Sequence, residues 1–219
     1  SSIFGGMAKK KQKAPDLTDS IYSRTIDNNP GFPAFAISAE TGGPSIIFDI
    51  FKKIPSKAEA AFFIVQQGPS WFTELFAQKL DEIAQLNVIP GINGIKVEPG
   101  NIYVATGEKN MIIDKNLSIK RVKAQPGTYS KPSADVLFTS IAETFGKYSK
   151  GILLTCNSAD GIHGVGRIAS MNGNIIIRKP KNNETNSFIN ISANSGLEHK
   201  FLPTSKIHSE IISMIDETK

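Results

Sequence analysis

The chain contains one cysteine, Cys156, so no disulfide can form within it, which fits a reducing compartment. It also lacks any apolar run approaching the ~20 residues that a membrane-spanning helix needs. Its longest runs, such as Ala60–Val65, have the length of a single buried strand. No basic n-region followed by an apolar h-region opens the sequence, so secretion is not signalled and a cytoplasmic protein is expected. Internal repeats are missing. No grouping of His, Cys and acidic residues has metal-ligand spacing, so neither metal nor cofactor is expected. Aromatic residues do not interleave with basic ones, which leaves nucleic-acid binding with little support.

What is present is ordinary globular material. Hydrophobic residues make up 40% of the 219 and charged residues 21%. That is enough for one well-buried domain and too little for two large ones. A net charge of +5 favours acidic partners weakly. Residues 1–32 carry Lys9, Lys10, Lys11 and Lys13 and end on Asn28-Asn29-Pro30-Gly31, which reads as a flexible basic tail. Its first six residues, ahead of Met7, read as a remnant of an expression tag. The folded domain is expected over 33–219.

From Pro33 onward, strand and helix signals alternate. Ala34–Ala39 and Ala60–Gln66 are continuous β-prone runs of the kind parallel sheets bury. Pro44 with Ile46, Ile47, Ile50 and Phe51 opens a one-sided helix, and Phe72, Leu75, Phe76, Leu80 and Ile83 keep helical spacing. Val88–Lys123 breaks the rhythm with short β runs (Ile102–Ala105, Met111–Asp114, Leu117–Val122), read as antiparallel hairpins inserted into the sheet. Helices at Ser133–Phe145 and Asp160–Met171 flank a strand at Gly151–Thr155. A strand at Asn174–Ile177 and a helix after Pro203 follow. The expected fold is α/β: a three-layer, doubly wound, mostly parallel Rossmann-like sheet. Ligands of such sheets bind beyond the carboxyl ends of the strands, so the loops after residues 39, 66 and 155 matter most.

Those loops carry a resemblance. Ile37-Ser38-Ala39-Glu40-Thr41-Gly42-Gly43-Pro44 is similar to the I-G-A-S-T-G-G-P turn of the CheB-type chemotaxis protein-glutamate methylesterase catalytic domain. Gln66-Gln67-Gly68-Pro69, followed by Phe72-Thr73, resembles that family's Q-H-M-P and F-T. Lys131-Pro132-Ser133-Ala134-Asp135-Val136-Leu137-Phe138 resembles its R-P-S-x-D-x-L-F. Leu154-Thr155-Cys156-Asn157-Ser158-Ala159-Asp160-Gly161-Ile162-His163-Gly164 is similar to L-T-G-M-G-x-D-G-x-x-G. The four segments keep their order across roughly residues 34–215. The late family G-M-P loop has no clear match among Ser187–Ala193. The family usually places a receiver domain before this one, and the short tail cannot be a receiver.

The departures carry the functional reading. By position, Glu40 stands at the nucleophile serine and Gln67 at the histidine base, while Asp160 alone matches the triad. Glu40 has no hydroxyl, and a glutamine amide neither gains nor loses a proton near neutral pH. Losing such members removes about a million-fold of rate in a well-studied triad. The expected protein is a catalytically inactive methylesterase-like domain of chemotaxis signalling. Its expected partners are chemoreceptor cytoplasmic helices or another signalling protein, held at a cleft of Thr41, Gly42, Gly43, Lys131, Pro132, Ser133, Asn157 and Gly161. The alternative is a diverged hydrolase in which Glu40, with Asp160 or Thr41, acts on a carboxyl ester or amide.

A third reading places nucleic acid on the basic tail, Lys120-Arg121 and Arg178-Lys179. Ser38 shares a strand face with Glu40 but should lie too deep to act. Cys156 near His163 invites a thiol–imidazole reading against the simpler one of a small buried residue. His199 and His208 read as surface or packing residues. For Glu40 itself, the turn Thr41-Gly42-Gly43 opens a helix whose N–H groups suit an anion. The carboxylate is expected to fold onto those groups or pair with Lys131, plugging the old site, unless it points to solvent.

Overall fold

The structure is a computed structural model that describes residues 29–124, 131–181, 184 and 198–218. In chain order it comprises β1 (Ala34–Ala39), α1 (Gly43–Phe51), β2 (Ala61–Gln66), α2 (Ser70–Ile83), β3 (Asn87–Pro90), β4 (Asn101–Val104), β5 (Asn110–Ile113), β6 (Ile119–Val122), α3 (Ala134–Phe145), β7 (Ser149–Leu153), α4 (Ile162–Ser170), β8 (Asn174–Arg178), β9 (Lys200–Leu202) and α5 (Thr204–Asp216).

Alternation along the central strands divides the core in two. Phe35, Ile37, Phe62 and Ile64 face one layer, where Ile47 and Phe51 of α1, Phe76 and Leu80 of α2, and Ile207 and Ile211 of α5 close over them. Ala34, Ala36, Phe63 and Val65 face the other, beneath Leu137, Phe138 and Ile141 of α3 and Val165 and Ile168 of α4. Because both faces are covered, β1 and β2 are buried at every residue. Each phenylalanine so buried contributes about 2 kcal/mol.

Seven strands form one sheet in the order β3-β4-β2-β1-β7-β8-β9, with every pairing parallel. The chain leaves β1 toward β2 and later returns to β7 on β1's other side. The β1/β7 junction is therefore the switch point, where loops diverge at the carboxyl ends and leave a crevice. No helix among the described residues is long and apolar enough to cross a membrane.

The region Val88–Lys123 contains the expected antiparallel hairpin in its second half and departs from expectation in its first. β3 and β4 join the main sheet in parallel, with Val88 beside Ile102 and Ile102 beside Phe62. Only β5 and β6 form an antiparallel ribbon, separate from the sheet. The physical reason is burial: Ile102 and Val104 enter one core and Tyr103 the other, as a strand between two helical layers must. The ribbon instead packs on α3, where the Ile113 N–H donates to Ser140 Oγ and Thr144 Oγ1 donates to the Ile113 carbonyl, each at 3.1 Å. The three-residue β9 was not anticipated; its run is too short to carry a period. Most of the basic tail expected over residues 1–32 lies outside the described residues.

Candidate functional site

Glu40 follows β1 at the switch point. Strand alternation sends its side chain to the α3/α4 face, with Ala36 and Ser38, while α1 packs on the opposite face. The residue is only 8% exposed, so its carboxylate requires partners. It finds them in the loop after β7. Asn157 N–H donates to Oε2 at 2.8 Å, and the Ser158 hydroxyl donates to Oε1 at 2.5 Å. Below, the Glu40 N–H donates to Thr155 Oγ1 at 2.8 Å. The expected partners are therefore corrected. The carboxylate does not fold onto the N–H groups of Thr41–Gly43, because those belong to the helix on the other face. Nor, among the described residues, does an ion pair join it to Lys131, which is exposed.

Asp160 is held more tightly still. Its Oδ2 accepts from Ala134 N–H at 2.7 Å, and its Oδ1 from Asp135 N–H at 3.0 Å and the Ser133 hydroxyl at 2.8 Å. These donors open α3, so the carboxylate meets the positive end of that helix. A fourth bond, from the Gln67 amide at 3.2 Å, joins the loop after β2 to the same oxygen, Oδ2. Ser133, buried behind Pro132, also caps the helix by accepting from Val136 N–H at 3.4 Å. Three loops after three strands thus meet around two carboxylates, with Ser158 bridging them: its Oγ accepts from the Asp160 N–H at 3.2 Å.

Two residues of the resembling segments, to which the sequence assigns no role, fix this geometry. Gln66 ends β2 facing α1, and its amide donates to the Glu40 carbonyl at 3.1 Å and the Gln67 carbonyl at 3.0 Å. It ties the two elbows together, while its Oε1 is buried with no partner among the described residues. The signal was available: a polar residue closing an otherwise apolar buried run. Gly43 must approach Gln66 closely, since a Cβ there would lie 2.3 Å from Gln66 Oε1 and 2.4 Å from Ala39 Cβ. The second residue is Asp135, which accepts from Gly164 N–H at 2.7 Å and so joins α3 to α4. Burial, helped by neighbouring Asp160, raises its pKa above the ordinary carboxylate value.

The remaining candidates separate into rim and interior. Thr41 and Gly42, the latter in the left-handed turn that starts α1 (φ 81°), are exposed and line a cleft with Ser45, Asn157 and Lys181. Gly43 and Gly161 are buried at the starts of α1 and α4. Cys156 donates to the Ser158 carbonyl at 2.8 Å, and His163 is exposed on α4; no hydrogen bond joins the two. Burial and then the Glu40 carboxylate push the Cys156 thiol up to about 12, so it is no nucleophile at neutral pH.

His199 stacks edge-on against Phe201. Burial first, then Lys53 and Lys206, lowers the pKa of His208. Arg178 is a core residue, donating to the Leu154 carbonyl and paired with Glu184, so Arg178-Lys179 is not the surface patch expected for nucleic acid. Arg121 is turned inward to the Thr106 carbonyl at 2.7 Å. No group of three or more His, Cys, Asp or Glu side chains able to hold a metal occurs among the described residues. Ser187–Ala193, where the late family loop found no match, lies outside them.

Comparison with known proteins is consistent with this architecture. The family model described as CheB methylesterase matches residues 35–211. Protein-glutamate methylesterase/protein-glutamine glutaminase of Trichodesmium erythraeum is 28% identical over 183 residues, 82% of this chain and 52% of that protein. The corresponding protein 3 of Syntrophomonas wolfei is 31% identical over 173 residues, covering 76% and 49%. The chain spans about half the length of the curated relatives it matches. The crystal structure of the Thermotoga maritima CheB methylesterase catalytic domain shares the fold at a TM-score of 0.78 and 23% identity, covering 84% of this chain and 99% of that one. On its sequence and its fold, this chain belongs to the CheB methylesterase family.

Proposed function

We propose that this chain is a cytoplasmic signalling domain that binds protein and does not hydrolyse esters by the serine–histidine route. The observation that carries the reading is the state of Glu40. It occupies the elbow position at which the similar family turn has its serine, and both carboxylate oxygens are engaged, by Asn157 N–H and by Ser158. A carboxylate held by a backbone N–H and a hydroxyl at this place resembles the free-acid product of ester cleavage, tethered to the chain. Gln67 supports the reading: its amide donates to Asp160, where a histidine of the family would be oriented, and it cannot relay a proton. The glutaminase activity in the relatives' name is amide hydrolysis, and it would need the same missing nucleophile. In this reading the fold and the cleft remain to bind chemoreceptor cytoplasmic helices or another signalling protein.

Methanol release from methylated chemoreceptor fragments, with an active family member as positive control, tests the proposal. Release at background, unchanged by Glu40→Ala, is expected. Release above background that disappears in Glu40→Ala would overturn it and establish a hydrolase built on the Glu40 carboxylate.

A further inference from the structure

We infer that the outer side of α2 is a self-association surface, on which a second copy of this chain packs antiparallel to form a twofold dimer. Such association is independent of ester chemistry and of the cleft around Glu40. Thr73, Phe76, Ala77 and Leu80 bury the inner side of α2. Trp71 and Leu75, one helical turn apart, point the other way and are 68% and 57% exposed. Single exposed apolar side chains are ordinary, but here the chain's one tryptophan shares a stripe with a leucine. Phe72 meets the Trp71 ring edge-on at 5.9 Å, so the indole is braced before a partner arrives. Ile92, also exposed, adjoins the helix across a cavity of about 460 Å³ shared with Glu74 and Gln78.

The stripe continues to Lys79, and its order decides the occupant. With Leu75 on the twofold axis, each Leu75 meets its counterpart. Trp71 and Lys79 lie four residues, about 6 Å, from that axis on opposite sides. Each indole therefore faces the ammonium of Lys79 on the second copy, a cation–π pair formed twice. Charge agrees. Glu74 forms no ion pair among the described residues, and in this arrangement it falls within a helical turn of the same lysine. Lys79 is bound to Glu82 at 2.6 Å but is exposed and keeps donors for both contacts. A parallel pair would instead set Lys79 on Lys79 and Glu74 on Glu74, and repel. Trp71, Leu75 and Ile92 supply the apolar area of a small interface, which corresponds to a Kd of about 10–100 µM.

Sedimentation equilibrium of the full chain between about 1 and 300 µM tests this. The mass should rise from one chain toward two, with the Trp71 emission shifting to the blue as the indole is covered. Leu75→Glu sets two carboxylates against each other and should weaken association at least about tenfold. Leu75→Gln makes the same comparison without a charge should Leu75→Glu impair folding, which thermal melts of each variant reveal. Oxidation of Leu75→Cys reads the axis itself: a disulfide-linked dimer should form, whereas Gln85→Cys, roughly 15 Å from the axis along the helix direction, should stay uncrosslinked. Cys156 is buried, with its thiol pushed up to about 12, and does not compete. A single chain's mass at every concentration would overturn the inference. So would a dimer indifferent to Leu75→Glu, or Gln85→Cys crosslinking as readily as Leu75→Cys.

Discussion

Asp160 and Glu40 belong to one loop cluster, yet the fold holds them by different means. Asp160 accepts from the first residues of α3, including the fully buried Ala134, and from two side chains. Its removal would strand donors that water cannot reach. Glu40 is held by the N–H of Asn157, an exposed loop residue, and by the half-buried Ser158. Its partners could turn to water. The contrast teaches that one carboxylate is part of the frame, while the other fills a cleft that the frame would keep without it.

The largest expected effect follows if the cleft is filled but the frame is sound. Glu40→Ser together with Gln67→His places a hydroxyl and an imidazole beside the Asp160 cradle. Ester hydrolysis should then rise at least about a hundredfold over the unaltered chain, with each single variant near background. Methanol release measures it. A folded double variant that stays inactive would show that the cradle is no longer competent to orient a base.

Stability sharpens the same contrast at intermediate size. Asp160→Ala should cost about 3 kcal/mol in urea unfolding, since several bonds to a charged acceptor are lost and buried donors are left unpaired. Glu40→Ala should cost about 1 kcal/mol, because water replaces the carboxylate at Asn157. Equal costs would mean that Glu40 is as much a part of the frame as Asp160.

The smallest effect lies in Cys156. Burial and the Glu40 charge raise its thiol from 9.0 to about 12. The unfolded chain ionises first as pH rises, so it binds fewer protons there than the folded protein. The thiol's contribution is therefore complete below pH 9 and declines between about 9 and 12. Iodoacetamide labelling of the native protein should be slow at pH 8. Glu40→Gln removes the carboxylate charge and should speed it several-fold, with burial still restraining the thiol. No change in labelling would separate Cys156 from the Glu40 latch.

Much of this was legible along the chain. The parallel strands Ala34–Ala39 and Ala61–Gln66 announced themselves as continuous apolar runs, because a strand covered on both faces has no polar side to show. The segment Val88–Val104 was misread because short β-prone runs carry no mark of strand direction, which its neighbours in space assign. The role of Gln66 is not legible along the chain because it depends on two carbonyls brought within reach by the β1–β2 pairing.

By itself, then, the sequence determined the α/β class, the alternation of the central strands with their helices, and which loops carry Glu40, Gln67 and Asp160. Those follow from periodicity and local motifs, which are properties of neighbours in the chain. Only the tertiary structure decided that Glu40 turns to Asn157 and Ser158 in place of the helix beside it. Strand alternation at β1 selects the face, and the parallel pairing of β1 with β7, more than a hundred residues apart, brings those two donors to its carboxylate.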